Sequence, residues 1–315
     1  MIKIFFTIFF SFSLFFQVFA QNYSVKFVKI IDKDDIGKKL AMPTYIKFNP
    51  FSERVLLIDG PKGRIILFNK NFFPFFSVGV GRGVEKPVAI GFYNDNIYVC
   101  EQKAISGYSK IAVFSPAWKK IREFNLKGFE GDNDFSPKDM AINKKGWIFV
   151  VGAGINKILI FNNIGNFIKS IQIKDSFSKE GELVDVTFSA ITIDKYQKIF
   201  ALSEKLGKLY VFSEYGTLLY KAAQKGGTQS KLSRPRGVAV DNKRQLIFIV
   251  DYMRQIVQVL NYKNGKFLFE FGNYGTFPGY FNYPTSITVD NSGYIYIADM
   301  FNSRVQVFKI YKKSQ

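Results

Sequence analysis

Arg234 to Leu260 reads RPRGVAVDNKRQLIFIVDYMRQIVQVL, and Tyr283 to Phe308 reads YPTSITVDNSGYIYIADMFNSRVQVF. The two stretches share a proline, a short alternating run that closes on V-D-N, an apolar segment ending in Asp, and V-Q-V. Self-similarity at a fixed spacing marks a repeat architecture. Weaker copies begin at Pro43, Pro87 and Pro137, and another has Phe188 in place of the proline. The anchors at 43, 87, 137, 188, 235 and 284 lie 44, 50, 51, 47 and 49 residues apart.

Each unit holds the same series of short runs rich in Val, Ile, Phe and Tyr, separated by Gly, Asn, Asp, Lys and Pro. In the last unit these are Ser286 to Val289, Tyr294 to Ala298 and Arg304 to Phe308, and the unit before it adds Phe267 to Phe271. No helical periodicity competes, so the runs read as strands. Four strands every 40 to 50 residues predict an all-β, six-bladed β-propeller. The last unit lacks a fourth strand, whereas Val25 to Ile31 (VKFVKII) is a strand without a unit. The N-terminal strand is therefore expected to complete the last blade, closing the ring and hiding a sheet edge.

The repeat P-x-G-[IV]-[AT]-V-D, a strand ending in A-D or V-D, then N-x-R-[IV]-Q-V-F resembles the NHL repeat, specifically in the two C-terminal copies and loosely in the other four. The resemblance implies an NHL-type six-bladed propeller. Family members serve mainly as interaction platforms, some bind RNA, and a minority of related six-bladed propellers are hydrolases or lyases with a metal at the central channel.

Composition narrows the chemistry. The 315 residues include no histidine and one cysteine, Cys100. That excludes His-dependent triads, His-ligated zinc or haem, an intramolecular disulfide and Cys-based metal sites. Metal-dependent relatives use His, Asp, Glu and Asn at the channel mouth. The matching positions here offer one carboxylate, Asp139, a poor cage for a divalent ion, so no cofactor or metal is expected.

Met1 to Lys3 form a short positive segment, Ile4 to Phe16 an apolar run, and Gln17-Val18-Phe19-Ala20 a small-residue cleavage site. Residues 1–20 read as a secretory signal peptide, leaving 21–315 as a single propeller domain without a membrane-spanning segment. The exported chain keeps 43 basic against 25 acidic residues, a charge of +18. Export, periplasmic or extracellular, argues against a nucleic-acid partner, and lysines spread through every unit suit solubility or an anionic envelope surface.

Two sets of repeated polar residues stand out. An acid ends the second strand at Asp59, Glu101, Glu204, Asp251 and Asp299, with Gly152 as the exception, and a base opens the third at Arg64, Lys110, Lys157, Lys208 and Arg304, with Ile256 as the exception. A feature present once per blade reads as a device of each blade's own turn. The residues after each proline begin the innermost strand, face the axis and break the sixfold pattern, among them Tyr45, Lys138, Asp139 and Arg236. The loop Gly272 to Pro284 groups Tyr274, Phe277, Tyr280, Phe281 and Tyr283 beside the basic loop Lys225 to Arg236, which holds Arg234. Aromatic and guanidinium groups together are the composition of recognition surfaces.

The expected activity is a non-catalytic protein-interaction or ligand-binding scaffold, a monomeric propeller engaging a protein or an anionic envelope component through Tyr45, Lys138, Asp139, Arg234, Arg236, Tyr274, Phe277, Tyr280 and Tyr283. The alternatives are a hydrolase or lyase at the channel mouth, using Asp139, Lys138, Arg236 and Tyr45, and an RNA-binding NHL domain. The acidic clusters Asp132 to Asp134 and Asp32, Asp34, Asp35 lack EF-hand spacing and read as solvated loops. Gly79-Val80-Gly81-Arg82-Gly83 matches no phosphate-binding loop and reads as turn geometry.

Overall fold

A computed structural model describes residues 17–19, 23–103, 107–177 and 181–312. Apart from Gln17–Phe19, the expected signal peptide lies outside the described residues.

Six antiparallel sheets stand around a central channel. The first blade is Pro43–Asn49, Arg54–Asp59, Arg64–Phe68 and Pro74–Val78, innermost strand first. The others begin at Pro87–Tyr93, Ser136–Ile142, Ala190–Ile193, Pro235–Asp241 and Pro284–Val289. Each inner strand touches those of the two neighbouring blades, and the sixth touches the first, so the ring is closed. The third and fourth blades are joined by a chain that forms a small ladder of Lys174–Asp175 with Val184–Asp185.

Closure follows the expectation. Tyr23–Ile31 pairs along Arg304–Lys312, with Phe27 opposite Phe308 and Ile31 opposite Val305, and serves as the fourth strand of the last blade. Gln17–Phe19 adds a fifth strand outside it, Val18 opposite Val25.

The second and third strands are buried on both faces and read as continuous apolar runs: Val55 to Ile58, Phe149 to Val151 and Leu246 to Val250 are all buried. Outer strands alternate, as in Lys120–Asn125, because one face meets solvent. Between blades, large rings such as Phe161, Phe200, Phe212 and Phe248 are fully enclosed. Cys100 lies in this core, where burial pushes its thiol up and leaves it a small hydrophobe.

The repeated acid is structural. Asp59 accepts the amides of Ala41 and Met42, Asp251 those of Ser233 and Arg234, Asp299 that of Asn282 and Glu101 that of Glu85. Each acid thus pins the loop that leads into its blade's proline. The basic partner faces it at Arg64 and Arg304, 3.1 and 2.7 Å from Asp59 and Asp299.

Glu204 is a correction to this series. Ala190 pairs with Leu202, so the residue in register with Asp59 is the buried Ser203, and Glu204 lies one place beyond the strand. Its carboxylate points to the channel mouth instead. Gly152 has a steric reason: a Cβ there would sit 2.1 Å from the carbonyl oxygen of Ser136.

Candidate functional site

A β-bulge recurs at the start of five inner strands. Pairing skips the residue after the proline, at Thr44, Val88, Lys138, Arg236 and Thr285. Bulges re-aim side chains, and these five line one cavity of about 600 Å³ at the channel mouth. Tyr45, Lys47, Lys86, Asp139, Ser189 and Glu204 line it as well.

Four of the anticipated residues meet there. Tyr45 extends from the first blade past the second and donates from its hydroxyl to Oδ1 of Asp139 on the third, 2.9 Å away. Asp139 Oδ2 accepts the amide of Ile191 on the fourth blade at 2.8 Å, and its own following amide, Met140, donates to Oδ1. Arg236 donates to Glu204 at 3.3 Å and lies over the ring of Tyr252, 3.9 Å from its centroid. The side chain of Lys138 is exposed and makes no hydrogen bond or ion pair among the described residues. Asp139 therefore has both oxygens committed, and no group of three acidic or Cys residues suited to a metal occurs among the described residues.

Lys47 is the residue that sequence reasoning missed. It lines the mouth cavity and also a cavity of about 590 Å³ entered from the opposite end, so it occupies the waist of the channel. Burial pushes its ammonium below the ordinary lysine value, and the negative charge of Asp139 partly offsets this. Burial likewise raises Asp139, with Lys47 and the donated hydrogen bonds acting against it, and burial beside Asp139 holds the Tyr45 phenol well above its usual value. A signal was present: four residues after each anchor the chain has Lys47, Gly91, Ala141, Thr192, Ala239 and Thr288, one charge among small residues.

The other five anticipated residues lie outside the cavity. Arg234 sits 3.8 Å from Glu204, so two arginines bracket that carboxylate. Tyr283 packs between Tyr252 and Phe301, with centroids 4.7 and 5.3 Å away, which extends the stack begun by Arg236 into a ridge running outward from the mouth.

The loop holding Tyr274, Phe277 and Tyr280 is pinned from beneath. Arg304 donates to the carbonyls of Thr276, Phe277 and Tyr280, Gln306 bonds Gly279 and Tyr280, and Asn302 donates to Gly275. Phe281 is fully buried under it, while Tyr274 and Phe277 are each 67% exposed.

A family model, the NHL repeat, matches residues 281–308. The fold is similar to that of a structural genomics protein of unknown function from Bacteroides thetaiotaomicron, at 15% identity and a TM-score of 0.67, over 92% of this chain and 76% of that one. Virginiamycin B lyase from Staphylococcus aureus is similar at 12% identity and 0.60, over 91% and 99%. An auxiliary nutrient binding protein from B. thetaiotaomicron is similar at 12% and 0.65, over 92% and 77%. Identities this low speak for the fold alone. No curated protein matches the chain. The chain is a six-bladed β-propeller, and its last blade carries an NHL repeat.

Proposed function

We propose that the protein is a non-catalytic binding module that engages a protein partner or an anionic envelope component through the loop-bearing face. The observation that carries this reading is the loop 272–284, whose backbone is fixed by Arg304, Gln306 and Asn302 while Tyr274 and Phe277 stand in solvent. A fixed scaffold presenting aromatic side chains binds without a large ordering cost. The adjacent ridge of Tyr252, Tyr283 and Phe301, with Arg236 at its inner end, supplies the aromatic and guanidinium chemistry enriched in interface anchors. The binding role in the name of the similarly folded B. thetaiotaomicron protein agrees with this reading.

The protein acts as a single closed propeller after export and removal of residues 1–20. Cleavage before Gln21 would take away Gln17–Phe19 and leave four strands in the last blade, as in the other five, and no helix among the described residues is long and apolar enough to cross a membrane. N-terminal sequencing of the protein from the native envelope fraction tests this, with Gln21 as the expected first residue.

The binding reading is tested by capturing partners from that fraction with the native protein and with a variant carrying Tyr274→Ala, Phe277→Ala and Arg236→Ala. Loss of a discrete partner at an unchanged melting temperature is expected, and identical partner sets would contradict it.

A further inference from the structure

We propose that the channel mouth is a binding site for a small organic anion, whose carboxylate or phosphate group is received by Lys47 at the floor with Lys138 and Arg236 at the rim. The inference shares a face and one side chain, Arg236, with the binding reading above, but Lys47 and Lys138 belong to this site alone and Tyr274 and Phe277 to the other, so either can fail alone.

The lining of the cavity holds four cations, Lys47, Lys86, Lys138 and Arg236, against two carboxylates, Asp139 and Glu204. Both carboxylates are already engaged: Asp139 accepts from Tyr45, Met140 and Ile191, and Glu204 lies between Arg234 and Arg236. None of the three lysines makes a side-chain hydrogen bond or ion pair among the described residues. Arg236 turns one nitrogen to Glu204 and keeps its Nε enclosed without an acceptor. An oxyanion at the mouth would face these ammonium groups and the part of the one-third-exposed Arg236 side chain that Glu204 does not engage. It would also add negative charge beside Lys47, whose ammonium burial disfavours and Asp139 only partly supports. The volume of about 600 Å³ falls in the range of small-molecule sites, larger than a bare mineral anion needs. Val88, Val238 and Met300 offer apolar surface for the remainder of such a molecule.

Isothermal titration calorimetry of the full protein at constant ionic strength tests this with three probes: succinate, glycerol 3-phosphate and neutral glycerol. One of the two anions is expected to bind with one-to-one stoichiometry, which also identifies the preferred head group, and glycerol is expected not to bind. Lys47→Met should weaken that binding by about tenfold or more, the scale of one charge-assisted hydrogen bond. Lys138→Ala should weaken it less, and Phe277→Ala should leave it unchanged. Lys47→Met removes an ammonium that burial disfavours but also a charge that supports the Asp139 carboxylate, so its melting temperature without ligand should stay near that of the native protein. Should it nevertheless fail to fold, Lys138→Ala and Arg236→Met provide the reading, and native affinity in both overturns the proposal. The proposal is equally overturned when neither anion binds at about 10 mM, or when folded Lys47→Met binds like the native protein.

Discussion

The amide of Ile191 donates to the carboxylate of Asp139 across the gap between the third and fourth blades, over 2.8 Å. The same relationship joins the sixth blade to the first, where Ile46 donates its amide to the hydroxyl oxygen of Ser286 at 3.1 Å. In both cases the acceptor stands two places after its blade's anchor and the donor three places after the next. Asp139 is thus a staple between blades.

Replacing Asp139 with Ala would strand the Ile191 amide, leave the Tyr45 hydroxyl only the Ile90 carbonyl at 3.4 Å, and take from Lys47 the negative charge that supports it. A loss of about 3 kcal/mol is expected in urea unfolding. Asp139→Asn should cost roughly half as much, since one acceptor survives, and adding Lys47→Met to Asp139→Ala should recover part of the loss. An unchanged urea midpoint for Asp139→Ala would count against the staple.

Gly152 stands, for want of space, where four of the other five blades carry an acid. Gly152→Asp, although it restores the commoner residue of the repeat, brings a Cβ within 2.1 Å of the Ser136 carbonyl oxygen and 2.8 Å of Pro137 Cα. A destabilisation of about 2 kcal/mol or more is expected. A higher melting temperature would mean that the loop gives way freely.

Stability should respond to pH through two carboxyls of opposite sign. Burial raises Glu101 to about 7, against the donated amide of Glu85 and the ammonium of Lys110. A carboxyl raised above its unfolded value favours the folded state at low pH, and that contribution is lost as pH climbs through about 7. Native protein should lose about 2 kcal/mol between mildly acid and mildly alkaline pH, and Glu101→Gln should flatten the curve. Asp175 behaves oppositely. Burial acts to raise it, but hydrogen bonds from Tyr210, the Ser176 amide, Lys221 and Lys208 outweigh that and hold it near about 2. Its contribution is present above the ordinary aspartate range and is lost as pH falls toward about 2. Thermal melts across acid and alkaline pH, with Asp175→Asn as the second comparison, separate the two.

Deleting residues 22–31 removes the strand that runs along Arg304–Lys312. The last blade would then present an open edge and uncover Phe308 and Ile310, which are fully buried. Loss of soluble protein is expected. A soluble truncated chain with the native melting temperature would contradict closure.

The architecture was legible because each blade repeats its own punctuation: Pro43, Pro87, Pro235 and Pro284 open inner strands at the anchors read from sequence. The closing strand was legible because a count of strands left one over. Glu204 was misplaced because Phe188 stands where a proline should fix the register, and the run ending Leu202-Ser203 offers no cue to where pairing stops. Lys47 was not legible from the positions just after each proline, because the waist of the channel is set two residues deeper by the alternation of the strand. The split between the mouth residues and the loop aromatics depends on contacts among blades five and six that no local pattern carries. The exposure of Tyr274 and Phe277 likewise follows from Phe281, four to seven residues away in the same loop, taking the buried position.

The most direct test of a binding face is photo-crosslinking in the native envelope from a reactive residue installed at position 277, compared with one at 168 on an outer strand of the third blade. Both sites are exposed. A discrete adduct from position 277 and none from 168 is the predicted result; no adduct from 277, or the same adducts from both, would contradict it.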